Sequence, residues 1–285
     1  MAKTYNDLYL HVRRSLRDAG VEAHALEARL LVAYAAEKRM ETLLCELRLY
    51  TTDEIAERVE ELLNRRLAGE PAAYITKSWE FFGLPFYVNP SVLIPRMDTE
   101  LLVQTALECL QGRETGARIL DLCAGSGCVG CALAHSLPSA NVVLADISKE
   151  ALIVCQKNIE LNHLENRISC LETDALQPPS VQLGSFDLIV SNPPYIATEE
   201  LRELDVSVRD YEPHLALDGG EDGLRFYRAI LSNWLPLLRN GGHILFEVGE
   251  TQAEDVRRLM LLAGLHGTAC FRDTGDIDRV VAGKR

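Results

Sequence analysis

From about residue 96 onward, short apolar runs alternate with helix-patterned stretches, and this alternation constrains the fold more than any other feature of the chain. Strands are expected at 118–122 (RILDL), 142–146 (VVLAD), 168–172 (ISCLE), 186–191 (FDLIVS), 243–248 (HILFEV), 267–272 and 278–282, with helical stretches between most of them. Such an order builds an α/β fold with a mostly parallel sheet covered on both faces. Ligands of these sheets bind beyond the carboxyl ends of the strands.

The first 70 residues carry a different period. Tyr5, Tyr9, Val12 and Leu16 step by four, three and four, which draws one apolar stripe, and Leu26, Leu30, Leu31 and Tyr34 draw another. Thr51 and Glu54 read as a capping box ahead of Ile55, Val59, Leu62, Leu63 and Leu67, and Gly69 with Pro71 stops that helix. Aromatic residues around Gly83-Leu84-Pro85 suggest a short hairpin. The expected division is a helical domain over 1–75, a hairpin connector over 76–95 and a larger domain over 96–285.

Composition narrows the function classes. The chain has 285 residues, 47% of them apolar, and a formal net charge of −13. Disorder and fibrous folds are excluded by that apolar fraction, and no apolar run is long enough to span a bilayer. The N-terminus lacks the apolar stretch of a signal peptide, so a cytoplasmic protein is expected. The acidic balance argues against broad binding to nucleic-acid phosphates. Of eight cysteines, Cys128 and Cys131 form a lone CxxC with no second half-site. They read as small apolar residues of a buried helix, and no metal site is expected.

The chemistry concentrates at strand ends. Strand 118–122 runs into Cys123-Ala124-Gly125-Ser126-Gly127, and Gly125, Gly127 and Gly130 spell G-x-G-x-x-G. Glycines there allow a tight turn and close approach of a ligand. Asp146 ends the next strand, where a carboxylate can accept hydrogen bonds from both hydroxyls of a ribose. A dinucleotide-binding dehydrogenase shares this fingerprint. Against it stand Asp121 inside the first strand, Asp174 after the third, and above all Ser191-Asn192-Pro193-Pro194-Tyr195 directly after the fourth. Asn192 offers a side-chain oxygen to a planar N–H group. Each proline restricts the residue before it and lacks a competing N–H. Tyr195 offers a flat face for stacking. The segment 196–222 holds nine acidic and two basic residues and reads either as a solvated loop or as a substrate lid.

Asn192-Pro193-Pro194-Tyr195 and the glycine turn resemble those of class I S-adenosylmethionine-dependent methyltransferases that act on planar nitrogens. Leu93-Ile94-Pro95-Arg96-Met97-Asp98-Thr99-Glu100, Arg209-Asp210-Tyr211-Glu212-Pro213, Ala216-Leu217 and the run from Arg272 to Asp276 resemble segments of the release-factor glutamine methyltransferases. The resemblance implies a Rossmann-like seven-stranded catalytic domain with its last strand antiparallel. It further implies methyl transfer from S-adenosylmethionine to the glutamine amide of the Gly-Gly-Gln loop of peptide-chain release factors, with residues 1–75 helping to dock that substrate. The cofactor would meet Cys123, Ala124, Gly125, Ser126, Gly127, Asp146, Asp174, Ala175 and Asn192. The amide would meet Asn192, Pro193, Pro194 and Tyr195, with Asn192, Pro193 and Tyr195 serving catalysis. Two positions depart from the pattern: Cys123 stands where a glycine is usual and is tolerable at negative φ, and Ala175 replaces a bulkier residue and opens the adenine pocket. A methylase of an exocyclic base amine, and a non-catalytic partner protein of the same fold, are the competing readings.

Overall fold

The computed structural model describes residues 3–179 and 182–285. They form two compact units, one running to Ser78 and including Val206–Tyr211, the other holding Trp79–Asp205 and Glu212–Arg285.

The first unit contains α1 (Tyr5–Asp18), α2 (His24–Ala35), α3 (Met40–Cys45), α4 (Asp53–Leu67) and α5 (Ala72–Thr76). A capping box starts α1, with Thr4 Oγ1 accepting from the Asp7 amide at 3.1 Å and Asp7 Oδ2 accepting from the Thr4 amide at 2.8 Å. Tyr5, Leu8, Tyr9, Val12 and Leu16 are buried along one face, as the spacing predicts. On α2 the buried face is rotated from the expected one. Ala28, Leu31, Val32 and Ala35 point inward, while Leu26 is 49% exposed. Small alanines let α2 approach its neighbours, a signal that large apolar residues alone do not carry. The cap of α4 is also displaced by one residue, because the Thr52 hydroxyl, not that of Thr51, accepts from the Ile55 amide. Gly69 closes the helix at φ +105°. A Cβ there would lie 3.2 Å from Val206 and 3.3 Å from Tyr211, whose hydroxyl donates to the Ala68 carbonyl.

The second unit opens with a hairpin of β1 (Trp79–Phe81) and β2 (Leu84–Phe86). Its turn is Phe82-Gly83, both at positive φ, with Leu84 and Pro85 already in the second strand, so the turn lies one residue earlier than the Gly83-Leu84-Pro85 centre expected. There follow α6 (Glu100–Cys109), β3 (Arg118–Leu122), α7 (Cys128–Ser136), β4 (Asn141–Asp146), α8 (Lys149–Leu161), β5 (Ile168–Glu172) and β6 (Phe186–Ser191). The short α9 (Val206–Arg209) belongs to the first unit. The chain then returns for α10 (Arg225–Asn233), β7 (Leu238–Glu247), α11 (Ala253–Leu262), β8 (His266–Arg272) and β9 (Asp278–Lys284). The sheet order is β5-β4-β3-β6-β7-β9-β8, parallel except for β9, which runs antiparallel to both neighbours. This is the expected seven-stranded class I arrangement, and its order reverses between β3 and β6. Trp234, Tyr227, Phe186 and Phe246 anchor the core on one side of the sheet. Among the described residues no helix is long and apolar enough to cross a membrane.

Candidate active site

Four neighbouring strands end on Leu122, Asp146, Ser191 and Glu247, and the site is built on those ends. After β3 the backbone turns through Cys123 (φ +60°), Gly125 (φ +56°) and Gly127 (φ +79°), the residue that caps α7. At Gly127 a Cβ would meet Leu144 at 2.8 Å and the Cys155 sulfur at 3.2 Å, so no larger residue fits. Cys123 is where the structure departs from expectation: its φ is positive, not negative. A non-glycine residue in this region carries roughly 1–2 kcal/mol of strain. Burial, with Asp146 nearby, pushes its thiol well above the usual range, so the sulfur stays protonated.

Asp121 is 2% exposed, and its Oδ2 accepts from the Gly130 amide at 2.9 Å. It thereby pins the first turn of α7 to β3. Burial pushes its acid up to about 7, the Gly130 amide opposes this, and Asp146 adds to it. Asp146 holds the glycine turn from the next strand, since Oδ2 accepts from the Gly125 amide at 2.8 Å and Oδ1 from the Ser148 amide at 2.9 Å. Burial raises its acid as well, against those amides.

A cleft enclosing about 860 Å³, its open mouth included, runs past Asp121, Gly125, Asp146, Thr99 and Asn192. An adjoining hollow shares Cys123, Asp146 and Phe226 with the cleft and adds Asp174 and Ala175. Asp174 Oδ1 accepts from the Leu176 amide at 2.8 Å and so orders its own loop. The Ala175 carbonyl accepts from the indole of Trp234 at 3.0 Å, which ties the loop to the core.

The loop after β6 is fixed from several sides. Ser191 Oγ donates to the Leu122 carbonyl at 2.7 Å. Asn192 Nδ2 donates to Thr99 Oγ1 at 3.3 Å. Asn192 and Pro194 line the cleft, whereas Pro193 is buried outside its walls. Tyr195 borders a neighbouring depression with Gly249 and Gln252, and its carbonyl accepts from Gln252 Nε2 at 2.8 Å. Burial and the Glu247 carboxyl raise its phenol, against Arg279 and Arg96. The acidic stretch after Tyr195 is strapped in place. The Gly219 amide donates to the Ile196 carbonyl, and a Cβ at Gly219 would lie 2.7 Å from Tyr195 Cα. Thr198 donates to Asp218 at 2.7 Å, and the buried Glu212 takes the Ile94 amide at 3.2 Å and pairs with Arg96.

Sequence reasoning did not single out Thr99, Phe226 or Glu247 as site residues. Thr99 and the Arg96–Glu212 pair lie inside segments that carry the family resemblance, and that was the available signal. The run from Arg272 to Asp276 forms the β8–β9 turn, in which Asp273 accepts from the Gly275 and Ile277 amides and from Arg279. Arg279 also faces Asp98 at 3.5 Å. Cys128 and Cys131 are buried in α7, with burial pushing the Cys128 thiol up to about 12. Among the described residues no His, Cys, Asp and Glu side chains cluster as metal ligands would.

Residues 7–76 match the family described as PrmC N-terminal domain, and residues 97–209 match the Methyltransferase small domain. A release factor glutamine methyltransferase of Clostridium acetobutylicum is 35% identical over 270 residues, covering 95% of this chain and 94% of that protein. The chain belongs to the release factor glutamine methyltransferase family. It is therefore a methyltransferase. A relative of the same description from Geobacter sulfurreducens is 44% identical and covers 78% of this chain and 76% of its own length. In fold, the chain resembles the hMettl16 catalytic domain solved with MAT2A 3′UTR hairpin 1. The TM-score is 0.55 with 18% identity, over 89% of this chain and 90% of that one.

Proposed function

We propose that this protein transfers a methyl group from S-adenosylmethionine to the side-chain amide nitrogen of a glutamine, the one in the Gly-Gly-Gln loop of peptide-chain release factors. The observation that supports this most is the single cleft shared by Asp146, the glycine turn and Asn192 in a chain of this family.

The residues present fit such a cofactor. Asp146 lies on the cleft wall, and beyond the amides of Gly125 and Ser148 its two oxygens have further lone pairs to offer a ribose. The turn at Gly125 and Gly127 brings backbone close to that space. When bound, the sulfonium supplies an electrophilic methyl carbon whose leaving group is a neutral thioether.

The remaining difficulty is the acceptor. An amide nitrogen shares its lone pair with its carbonyl and is a weak nucleophile. Asn192 Oδ1, on the cleft wall, would accept from one of its two N–H groups, and the carbonyl of the adjoining Pro193, whose ring lies outside that wall, would accept from the other. Holding both would align the nitrogen with the methyl and favour the geometry in which conjugation is lost. The departing proton goes to water. Tyr195, which borders the neighbouring depression, would meet substrate residues beside the glutamine, and the helical unit, with Val206–Tyr211, would engage the body of the release factor. The same chemistry suits a base amine, but the net charge of −13 gives no basic footprint for nucleic acid.

Mass mapping of a release factor after incubation with enzyme and S-adenosylmethionine tests this reading, with one methyl expected on the loop glutamine. Asn192→Ala should slow single-turnover transfer about 10²–10³-fold, the range for one lost preorganised polar group, with cofactor affinity changed far less. A variant with near-normal rates would reduce the motif to a structural turn.

A further inference from the structure

Glu247, the last residue of β7, is an acid that the proposed chemistry leaves unused. It is 2% exposed, and its Oε2 has no hydrogen-bond partner among the described residues. An orphan oxygen of this kind costs about 1–3 kcal/mol, more if charged, and calls for an explanation.

Its surroundings supply one. The side chains of Thr99 and Asn192 lie near the Glu247 carboxyl and pull its acid down, against burial. Asn192 Nδ2 also donates to Thr99 Oγ1 at 3.3 Å. Thr99 and Asn192 line the cleft, whereas Glu247 stands behind them. The charged and titratable groups that face Glu247 are Asp98 ahead of α6, Cys128 on α7, Tyr195 after β6, Tyr227 on α10 and Arg279 on β9.

Donor counting shows what this arrangement does. A threonine hydroxyl has one hydrogen to give. Thr99 Oγ1 accepts from Asn192 Nδ2, which leaves its one hydrogen free to turn toward the nearby Glu247 carboxyl, and in that arrangement Oγ1 selects the NH₂ end of the Asn192 amide. An ionised Glu247, which is acceptor-only, makes the same demand. A flipped amide would set oxygen against oxygen. A protonated Glu247 could donate to Asn192 Oδ1 and would tolerate either orientation. We propose that Glu247, together with Thr99, is a positioning residue that holds the Asn192 amide with Oδ1 toward the cleft, where the substrate N–H needs an acceptor. The last clause rests on the function proposed above.

The ionised form does the orienting. Burial pushes the acid up to about 7, with Asp98 adding, against Thr99, Arg279 and Asn192. Orientation therefore sharpens as pH rises through that value. A carboxylate close to the NH₂ end also polarises the amide and makes Oδ1 a stronger acceptor.

Two measurements test the proposal, on the full chain. In the first, side-chain NH₂ signals of ¹⁵N-asparagine-labelled enzyme are recorded without substrate, the Asn192 pair being identified by its loss in Asn192→Ala. Above pH 7 a single, exchange-protected Asn192 pair is expected. Protection should fall below pH 7, and at all pH values in Glu247→Gln and Thr99→Val. In the second, single-turnover transfer to a release factor is followed from pH 5.5 to 8.5. The wild-type rate should climb through about pH 7. Glu247→Gln should be flat and about tenfold slower at pH 8, the difference between a charged and a neutral hydrogen bond, with cofactor affinity held within about twofold. Asn192 signals indifferent to pH and to both substitutions would overturn the proposal, as would a wild-type pH profile in Glu247→Gln. If the wild-type enzyme methylates no release factor, the proposed function falls, while the substrate-free signals still decide the role of Glu247.

Discussion

Asp121 makes the stability of the sheet unit fall as pH rises across neutrality. Its acid lies near 3.9 in an unfolded chain and is pushed up to about 7 in the fold by burial. The folded state therefore keeps a proton that the unfolded state releases. The stabilisation is complete below about pH 4, declines with rising pH, and is gone once pH passes about 7. Each pH unit within that window is worth about 1.4 kcal/mol per group, so between pH 6 and 8 Asp121 removes about 1.4 kcal/mol, most of it before pH 7. Glu247, also pushed up to about 7, removes a similar amount. The wild-type protein should thus lose about 3 kcal/mol from these two groups over that range, and Asp121→Asn only about half as much. Asparagine keeps an oxygen for the Gly130 amide, so the helix start is retained. The assay is urea unfolding of the cofactor-free protein at several pH values, followed by tryptophan fluorescence. Both tryptophans, Trp79 and Trp234, belong to the sheet unit and report on it alone. The partly buried His243, whose pKa burial lowers, titrates in both proteins, so the difference between their slopes isolates Asp121. Identical slopes would refute the argument, because they would mean that Asp121 is already ionised at pH 6 in the fold.

Asp146→Ala should weaken cofactor binding by roughly tenfold to a hundredfold, from charged hydrogen bonds worth about 1.5–3 kcal/mol; unchanged affinity by calorimetry would remove Asp146 from the ribose site. Gly69→Ala should destabilise the helical unit by about 1–3 kcal/mol, because φ +105° excludes alanine and the new methyl would press on Val206 and Tyr211. Amide exchange along α4 would register that loss, and unaltered protection would contradict it. Cys123→Gly should be more stable than Cys123→Ala by about 1 kcal/mol, since only glycine relaxes at φ +60°. Equal melting temperatures for the two variants would argue against strain at this turn.

The alternation of strands and helices was enough to announce the sheet, because each strand is a short apolar run and each helix has its own period. The hairpin turn and the α4 cap were each misplaced by one residue. Both depend on φ and on which of two adjacent side chains points inward, and local composition does not encode either. The inward face of α2 was missed for a related reason: alanines decided the packing there. At the site, the strand-end motifs marked the glycine turn, Asp146 and Asn192. The glutamate behind Asn192 was silent, because it comes from the end of β7, far away in sequence, and Thr99 was marked only by the resemblance of its segment. Tyr195 shows the opposite case. Its place in the motif suggested a ring over the substrate, whereas the fold sets it beside a neighbouring depression.

The path of the chain through Val206–Tyr211 bears on how this protein is made. The helical unit reads as an independent N-terminal module, yet six of its residues are encoded after β6. Translation delivers α1 to α5 first and then most of the sheet strands before Tyr211 arrives to meet Ala68 and Gly69. Helices α1 to α5 must wait for a late segment before the surface of their unit is closed. A gene cut at the apparent boundary near Ser78 would therefore separate the module from one of its own pieces. A module meant to be moved whole into another protein has to carry a stand-in for that late segment.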